Sequence, residues 1–253
     1  MPDERNKVCL VTGGGSGLGR VVARRLAERG CAVAIGDVDV DGAEETARLI
    51  RSQGGNCLVR RTDVTQSDDV RRLVEETVSA FGGLDYAVNN AAIEGKRAKV
   101  ADYDEAEWMK VISVNLTGVF LCMRHEIPQL LARGGGAIVN VGSTAAIRGV
   151  PLMPAYVAAK TALVGLTKTA ALEVADKKIR INLVCPGSLR TPMSERLYGE
   201  NIDSLLADRT PMRRSGELDE MAEPILWLCS EATTFVTGTV VTVDGGKTAG
   251  QML

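Results

Sequence analysis

Short apolar runs alternate with longer amphipathic stretches along nearly the whole chain. The runs Val8–Val11, Cys31–Ile35, Cys57–Val59, Leu84–Val88, Ala137–Val141, Ile181–Cys185 and Val240–Val243 leave no room for a helix and are expected as strands. Between them lie segments with helical spacing: 20–28, 41–53, a stretch opened by Ser67 or Asp68 and ending at Phe81, 108–131, 154–175 and 218–228. In the third of these, Val70, Leu73, Val74, Thr77 and Val78 fall on one side. The segment Trp108–Leu131 is different, because its apolar positions cover more than one face. Such a helix is covered on several sides, by the core or by a partner subunit. Strands alternating with helices predict an α/β domain built on a mainly parallel sheet. The chain shows no internal repeat, low-complexity tract or linker, so one domain spanning 1–253 is expected.

Composition narrows the picture. At 253 residues, with 45% hydrophobic and 25% charged residues, the chain can bury a sizeable core. A net charge of -2 gives no electrostatic case for nucleic acid or an anionic membrane as partner. The uncharged run Val111–Met123 is too short to span a bilayer, and the charged N-terminus lacks the apolar core of a signal peptide. The 6 cysteines are scattered, mostly within apolar runs, and no Cys-x-x-Cys occurs. They read as small buried hydrophobes in a reducing cytoplasm. A single histidine, His125, argues against a His-based triad, and no metal site is expected.

Candidate chemistry begins at Gly13–Gly19, between the first strand and the first helix. That arrangement offers free backbone N–H groups and a positive helix end to a phosphate. Asp37 ends the second strand, about 20 residues further on, where an acid can accept from a ribose 2′-OH and repel a 2′-phosphate. No Arg or Lys lies in Gly36–Gly42, and Ser16 precedes Gly17, so NAD is favoured over NADP. Asp37 or Asp39 can also cap the following helix. Asn89 and Asn90 follow the fourth strand, and amides there can tie loop backbones together. Asn115 is a polar amide in an apolar helix and must find partners, as a structural group or a site residue. Ser143 follows the fifth strand at the edge where ligands bind in open parallel sheets. Tyr156 and Lys160 are four apart in the Ala- and Leu-rich stretch Pro154–Ala175 and share one helix face. An ammonium beside a phenol favours phenolate and lowers a pKa of about 10.

Together these segments resemble the classical short-chain dehydrogenase/reductase family over almost the whole chain. The family's Thr-Gly-x-x-x-Gly-x-Gly loop corresponds to Thr12–Gly19, and its Asn-Asn-Ala-Gly to Asn89–Ala92, with Ala92 in place of glycine. The resemblance implies a Rossmann-type, doubly wound sheet of seven parallel strands with helices on both faces. It implies a cofactor half over about 1–140, a catalytic and substrate part over about 141–253, and a flap over about 188–212. It assigns catalysis to Asn115, Ser143, Tyr156 and Lys160, with Asn115 holding a water that links Lys160 to solvent. It assigns NAD(H) binding to Gly13, Ser16, Gly17, Leu18, Gly19, Asp37, Asp63, Val64, Asn90, Ala91, Tyr156, Lys160, Pro186, Gly187 and Thr191. A homotetramer is also implied, with Trp108–Leu131 and Pro154–Ala175 supplying much of an interface.

The expected reaction interconverts a secondary alcohol and a ketone. The wall after Ser143 (Ala145, Ile147, Val150, Leu152, Met153) and Met193 in the flap are apolar, which favours a mostly apolar, cyclic substrate. Arg190, Arg196 and Arg209 in the flap either meet an anion or face water. The rival within the enzyme class is an NADPH-dependent 3-oxoacyl-[acyl-carrier-protein] reductase, which Asp37 disfavours. A catalytically idle NAD-sensing or scaffold protein is the rival outside it, since fold alone does not fix function.

Overall fold

The computed structural model describes residues 4–198, 207–208 and 210–250. Seven strands, β1 (Val8–Thr12), β2 (Ala32–Asp37), β3 (Cys57–Arg61), β4 (Tyr86–Asn89), β5 (Gly136–Val141), β6 (Ile179–Pro186) and β7 (Val240–Val243), form one sheet in the order 3-2-1-4-5-6-7. Every neighbouring pair is parallel. The helices are α1 (Gly17–Glu28), α2 (Val40–Ser52), α3 (Ser67–Phe81), α4 (Glu105–Ile112), α5 (Gly118–Arg133), α6 (Pro154–Val174), α7 (Pro192–Tyr198) and α8 (Leu218–Cys229).

Alternation along the strands sorts side chains between two cores, as the two-residue period of a strand requires. Cys9, Val11, Val33, Ile35, Val88 and Val139 join Val22 and Leu26 of α1, Ile50 of α2 and Ile225 of α8. Leu10, Ala87, Ile138 and Ile181 join Leu73 of α3, Val119 and Leu130 of α5 and Leu163 of α6. Both faces of the sheet are thus covered, which explains why the central strands read as unbroken apolar runs. Sequence expectation and structure agree on all seven strands, with ends displaced by one or two residues. Ile179–Pro186 starts two residues before the apolar run because Arg180 continues the ladder opposite Ala137.

The helix expected over 108–131 is longer and interrupted. It runs from α4 to α5 through a π turn at Ser113–Thr117. By length and composition the continuous stretch Glu105–Arg133 is apolar enough to cross a bilayer. Here its Val111, Leu121, Met123 and Leu130 are buried within the fold. Beneath the sheet's carboxyl edge a polar chain crosses the core. Asn89 Nδ2 donates to Glu126 Oε2 and to Asn140 Oδ1, both at 3.1 Å, and Asn140 Nδ2 donates to Thr167 Oγ1 at 3.0 Å. Burial pushes the Glu126 carboxyl up to about 8, so it is neutral at pH 7.

The strand order reverses at β1, which pairs with β2 on one side and β4 on the other. A crevice opens outside the carboxyl ends of the strands at such a point, and ligands bind there.

Candidate active site

A cleft of about 420 Å³ lies at that switch point, bordered by the ends of β1, β2, β4, β5 and β6 and by α6. At its cofactor end, Gly13 and Gly17 adopt φ of 67° and 51°, which glycine reaches at no steric cost. A Cβ on Gly13 would lie 2.8 Å from Ala91 Cα, and one on Gly19 would collide with the Gly13 carbonyl oxygen. Gly13, Ser16, Gly17 and Leu18 line the cleft, whereas Gly19 sits behind the loop and lets α1 start against it. The Asn90 side chain fixes this loop, donating to Thr12 O at 3.1 Å and Gly13 O at 3.0 Å. Thr12 Oγ1 returns the contact by accepting from the N–H groups of Asn90 and Ala91. This is the amide tie expected after β4.

Asp37 faces the cleft at the end of β2. One carboxylate oxygen accepts from Gly15 N at 2.8 Å and the other from Asp39 N at 3.0 Å. A carboxylate has about four acceptor positions, so two remain for a diol. Asp39, not Asp37, caps α2 by accepting from Gly42 N. Arg20 is turned away from the cleft, onto Thr46 Oγ1 and the carbonyls of Gly15 and Gly42. Asp63 and Val64 line the same end, and Asp63 accepts from the N–H and hydroxyl of Thr65. A positive-φ glycine loop, a helix N-terminus and a β2 carboxylate with spare acceptors form a cradle that fits a dinucleotide with a free ribose diol.

At the other end, α6 begins at Pro154, whose fixed φ suits the first helical turn. Tyr156 and Lys160 both line the cleft. Lys160 is 2% exposed, and its Nζ donates to Val141 O at 2.8 Å. Burial brings this ammonium down to about 8. Nζ lies 5.9 Å from the centroid of the Tyr156 ring. Ser143 follows β5 in extended conformation, and its Oγ accepts from Ala145 N at 3.1 Å. Among the described residues its hydroxyl proton has no acceptor, so it can donate into the cleft.

Asn115 lies in the π turn Ser113–Thr117. It is fully buried and does not line the cleft. Its side chain clamps the Ile93 backbone from both sides, donating to Ile93 O and accepting from Ile93 N at 2.8 Å each. Both directions of the amide are thereby directed at a cleft-wall residue rather than at Lys160. Pro186, Gly187 and Thr191 line the cleft. Thr191 also starts α7, its Oγ1 accepting from Ser194 N at 3.1 Å while Ser194 Oγ accepts from Thr191 N at 2.8 Å.

The substrate end is lined by Ile93, Ala145, Val150, Met153 and Met193; Ile147 and Leu152 are exposed and do not line it. Arg196 is bound by Glu94 through contacts of 2.7 and 3.2 Å, and Arg190 pairs with Glu195 at 2.9 Å. Arg209 lies outside the described residues. Sequence reasoning passed over Arg148 and Lys247, which both line the cleft. Arg148 is the charged residue within the 145–153 wall, and Lys247 follows the turn after β7. Position beyond a strand's carboxyl end was the available signal for both.

A family model described as enoyl-(acyl carrier protein) reductase matches residues 13–248. Similar curated proteins include cis-4-hydroxycyclohexanecarboxylate dehydrogenase of Sinomonas cyclohexanicum, 43% identical over 96% of this chain and 97% of the relative. Cyclohexanol dehydrogenase of Acinetobacter sp. (strain SE19) is 41% identical over 96% of each chain. Among solved structures, levodione reductase superposes with a TM-score of 0.94 at 36% identity, covering 98% of this chain and 99% of that one. The fold and the cleft define a nicotinamide-dependent oxidoreductase. The chain belongs to the classical short-chain dehydrogenase/reductase family.

Proposed function

We propose that this protein is an NAD-dependent dehydrogenase that interconverts a cyclic secondary alcohol and its ketone. The observation that carries the reading is the pairing of a buried Lys160 with Tyr156 on one face of α6, at a cleft whose opposite end carries Asp37. Names of similar proteins support the cyclic substrate: two are dehydrogenases of ring alcohols and one is a reductase of levodione.

A nicotinamide bound along the glycine loop supplies the redox chemistry. Tyr156 takes the proton from the alcohol oxygen during oxidation and returns it during reduction. The Lys160 ammonium favours negative charge on that phenol oxygen, and Val141 O holds the ammonium in place. The Ser143 hydroxyl donates to the substrate oxygen and stabilises charge that develops there. Asn115 acts one layer back, by fixing the backbone of Ile93. Ile93, Val150, Met153 and Met193 exclude water and accept an apolar ring. Exposed Phe120 of α5 and Leu172 of α6 support the homotetramer reading.

Initial rates with cyclohexanol test this, using NAD⁺ and NADP⁺ in parallel on the wild type and on Asp37→Ser. The wild type is expected to prefer NAD⁺, and the variant to lose most of that preference because the repulsion of a 2′-phosphate is gone. NADP⁺ preference in the wild type, with turnover of 3-oxoacyl thioesters, would move the assignment to the acyl reductase. Tight NADH binding with no turnover of either substrate type would favour the sensor.

A further inference from the structure

The charged groups around the cleft are distributed unevenly. Its lining carboxylates among the described residues, Asp37 and Asp63, both stand beyond β2 and β3. The sheet order places those strands on one side of β1 and β5 on the other. On the β5 side, Lys160 is held by Val141 O and Arg196 is held by Glu94. Arg148 is different. It lies five residues after Ser143, past the short turn Thr144–Ala146, and it lines the cleft. It is exposed, and among the described residues no carboxylate, carbonyl or hydroxyl engages its guanidinium. Its neighbours on that wall, Ala145, Val150 and Met153, are apolar.

A guanidinium at the margin of an apolar wall serves no internal pairing. Its flat fork presents parallel N–H donors that match a carboxylate in geometry as well as charge. With Ser143 and Tyr156 meeting the reacting oxygen and the apolar wall meeting the ring, Arg148 is an exposed cation lining the same cleft, open to a group that the ring carries. The geometry points to a substrate that is itself an anion: a ring alcohol or ketone bearing a carboxylate, which Arg148 takes up. Arg148 is then a specificity-determining residue for the oxidoreductase reaction, and the inference rests on the ring-alcohol reading above. Charge recognition at this distance from the reacting carbon acts mainly through productive binding, so it appears in kcat/KM more than in kcat.

The test compares three alcohols with NAD⁺: a 3- or 4-hydroxycyclohexanecarboxylate, the matching carboxamide, and cyclohexanol as reference. In the wild type the carboxylate is expected to exceed the carboxamide by about 10- to 100-fold in kcat/KM, the range of one charge-assisted contact. In Arg148→Gln the ratio of the two is expected to approach one. Arg148→Lys is expected to fall between, since it keeps the charge and loses the fork. A wild-type ratio near one, or a ratio that survives Arg148→Gln unchanged, would overturn the inference. A second readout needs no turnover: thermal stabilisation of the full chain by cyclohexanecarboxylate against cyclohexanecarboxamide. The anion should stabilise the wild type more and lose its advantage in Arg148→Gln; equal shifts in the wild type would overturn the inference. Absence of turnover of all three alcohols would defeat the ring-alcohol reading instead, while the thermal shifts would still decide the anion site.

Discussion

Lys160 carries two demands that oppose each other. In the proposed mechanism its charge helps Tyr156 exchange a proton, yet its burial disfavours that charge, lowering its pKa from 10.5 to about 8. The hydrogen bond to Val141 O offsets part of the cost and leaves Nζ beside the tyrosine ring. Below pH 8 both folded and unfolded chains hold the proton, and the burial penalty is at its full size. Between about 8 and 10.5 the unfolded chain still holds a proton that the folded chain has released, so this group makes stability rise with pH. Lys160→Met removes the titration. Its stability relative to wild type is therefore expected to be highest below pH 8 and to decline towards pH 10.5, while turnover drops on the order of 100-fold or more. Urea unfolding of both proteins at pH 7 and pH 10 measures the first effect; a difference that ignores pH would contradict it. The same residue shows what sequence spacing can deliver. Four residues on a helix put Tyr156 and Lys160 on one face, but only the packed fold shows that the ammonium is buried and held by β5.

Among the elements, the α4–α5 pair says most about how the site is held. The π turn at Ser113–Thr117 rotates the helix by part of a turn at the point where Asn115 must face the β4 loop. The amide then clamps Ile93, which is three residues past Asn90, the residue that ties the glycine loop. One loop is thus pinned at both ends, to the cofactor cradle and to the substrate wall. Asn115→Ala leaves the N–H and C=O of Ile93 without those partners, and is expected to cost about 1–3 kcal/mol of stability. It is also expected to raise KM for the alcohol; denaturant melts with steady-state kinetics check both, and wild-type values in both would refute the clamp. This element was only half legible in the sequence. Apolar residues on several faces announced a helix covered from several sides, but periodicity averages over turns and does not register one extra residue. Asn115 was therefore marked as a polar group in need of partners, without its target being visible. Strands were more legible, since each apolar run is short and most are followed directly by Gly, Asn, Asp or Pro.

Across the molecule, the parallel sheet turns scattered motifs into one site. Thr12, Asp37, Asn89, Val141 and Pro186 each end a strand, and the reversal at β1 brings the segments that follow them around a common cleft. Residues whose role depends on backbone shape or strand position, such as Gly13, Gly17 and Asp37, could therefore be located from sequence. Arg148 and Lys247 were marked only by following a strand's carboxyl end, because their place in the cleft depends on how the loops after β5 and β7 fold back. Arg196 was visible as a cation, but its capture by Glu94, 102 residues earlier, is a property of the folded chain alone.

The central claim is that Tyr156 moves the proton in an NAD-dependent reaction. Its most direct test is Tyr156→Phe, measured for cyclohexanol turnover with NAD⁺ and, separately, for NADH binding by fluorescence. Turnover is expected to fall by roughly 10²–10⁴-fold, the range for removal of a positioned acid–base group, with NADH binding retained. Turnover close to the wild-type rate would contradict the account, because the proton would then be handled by another group.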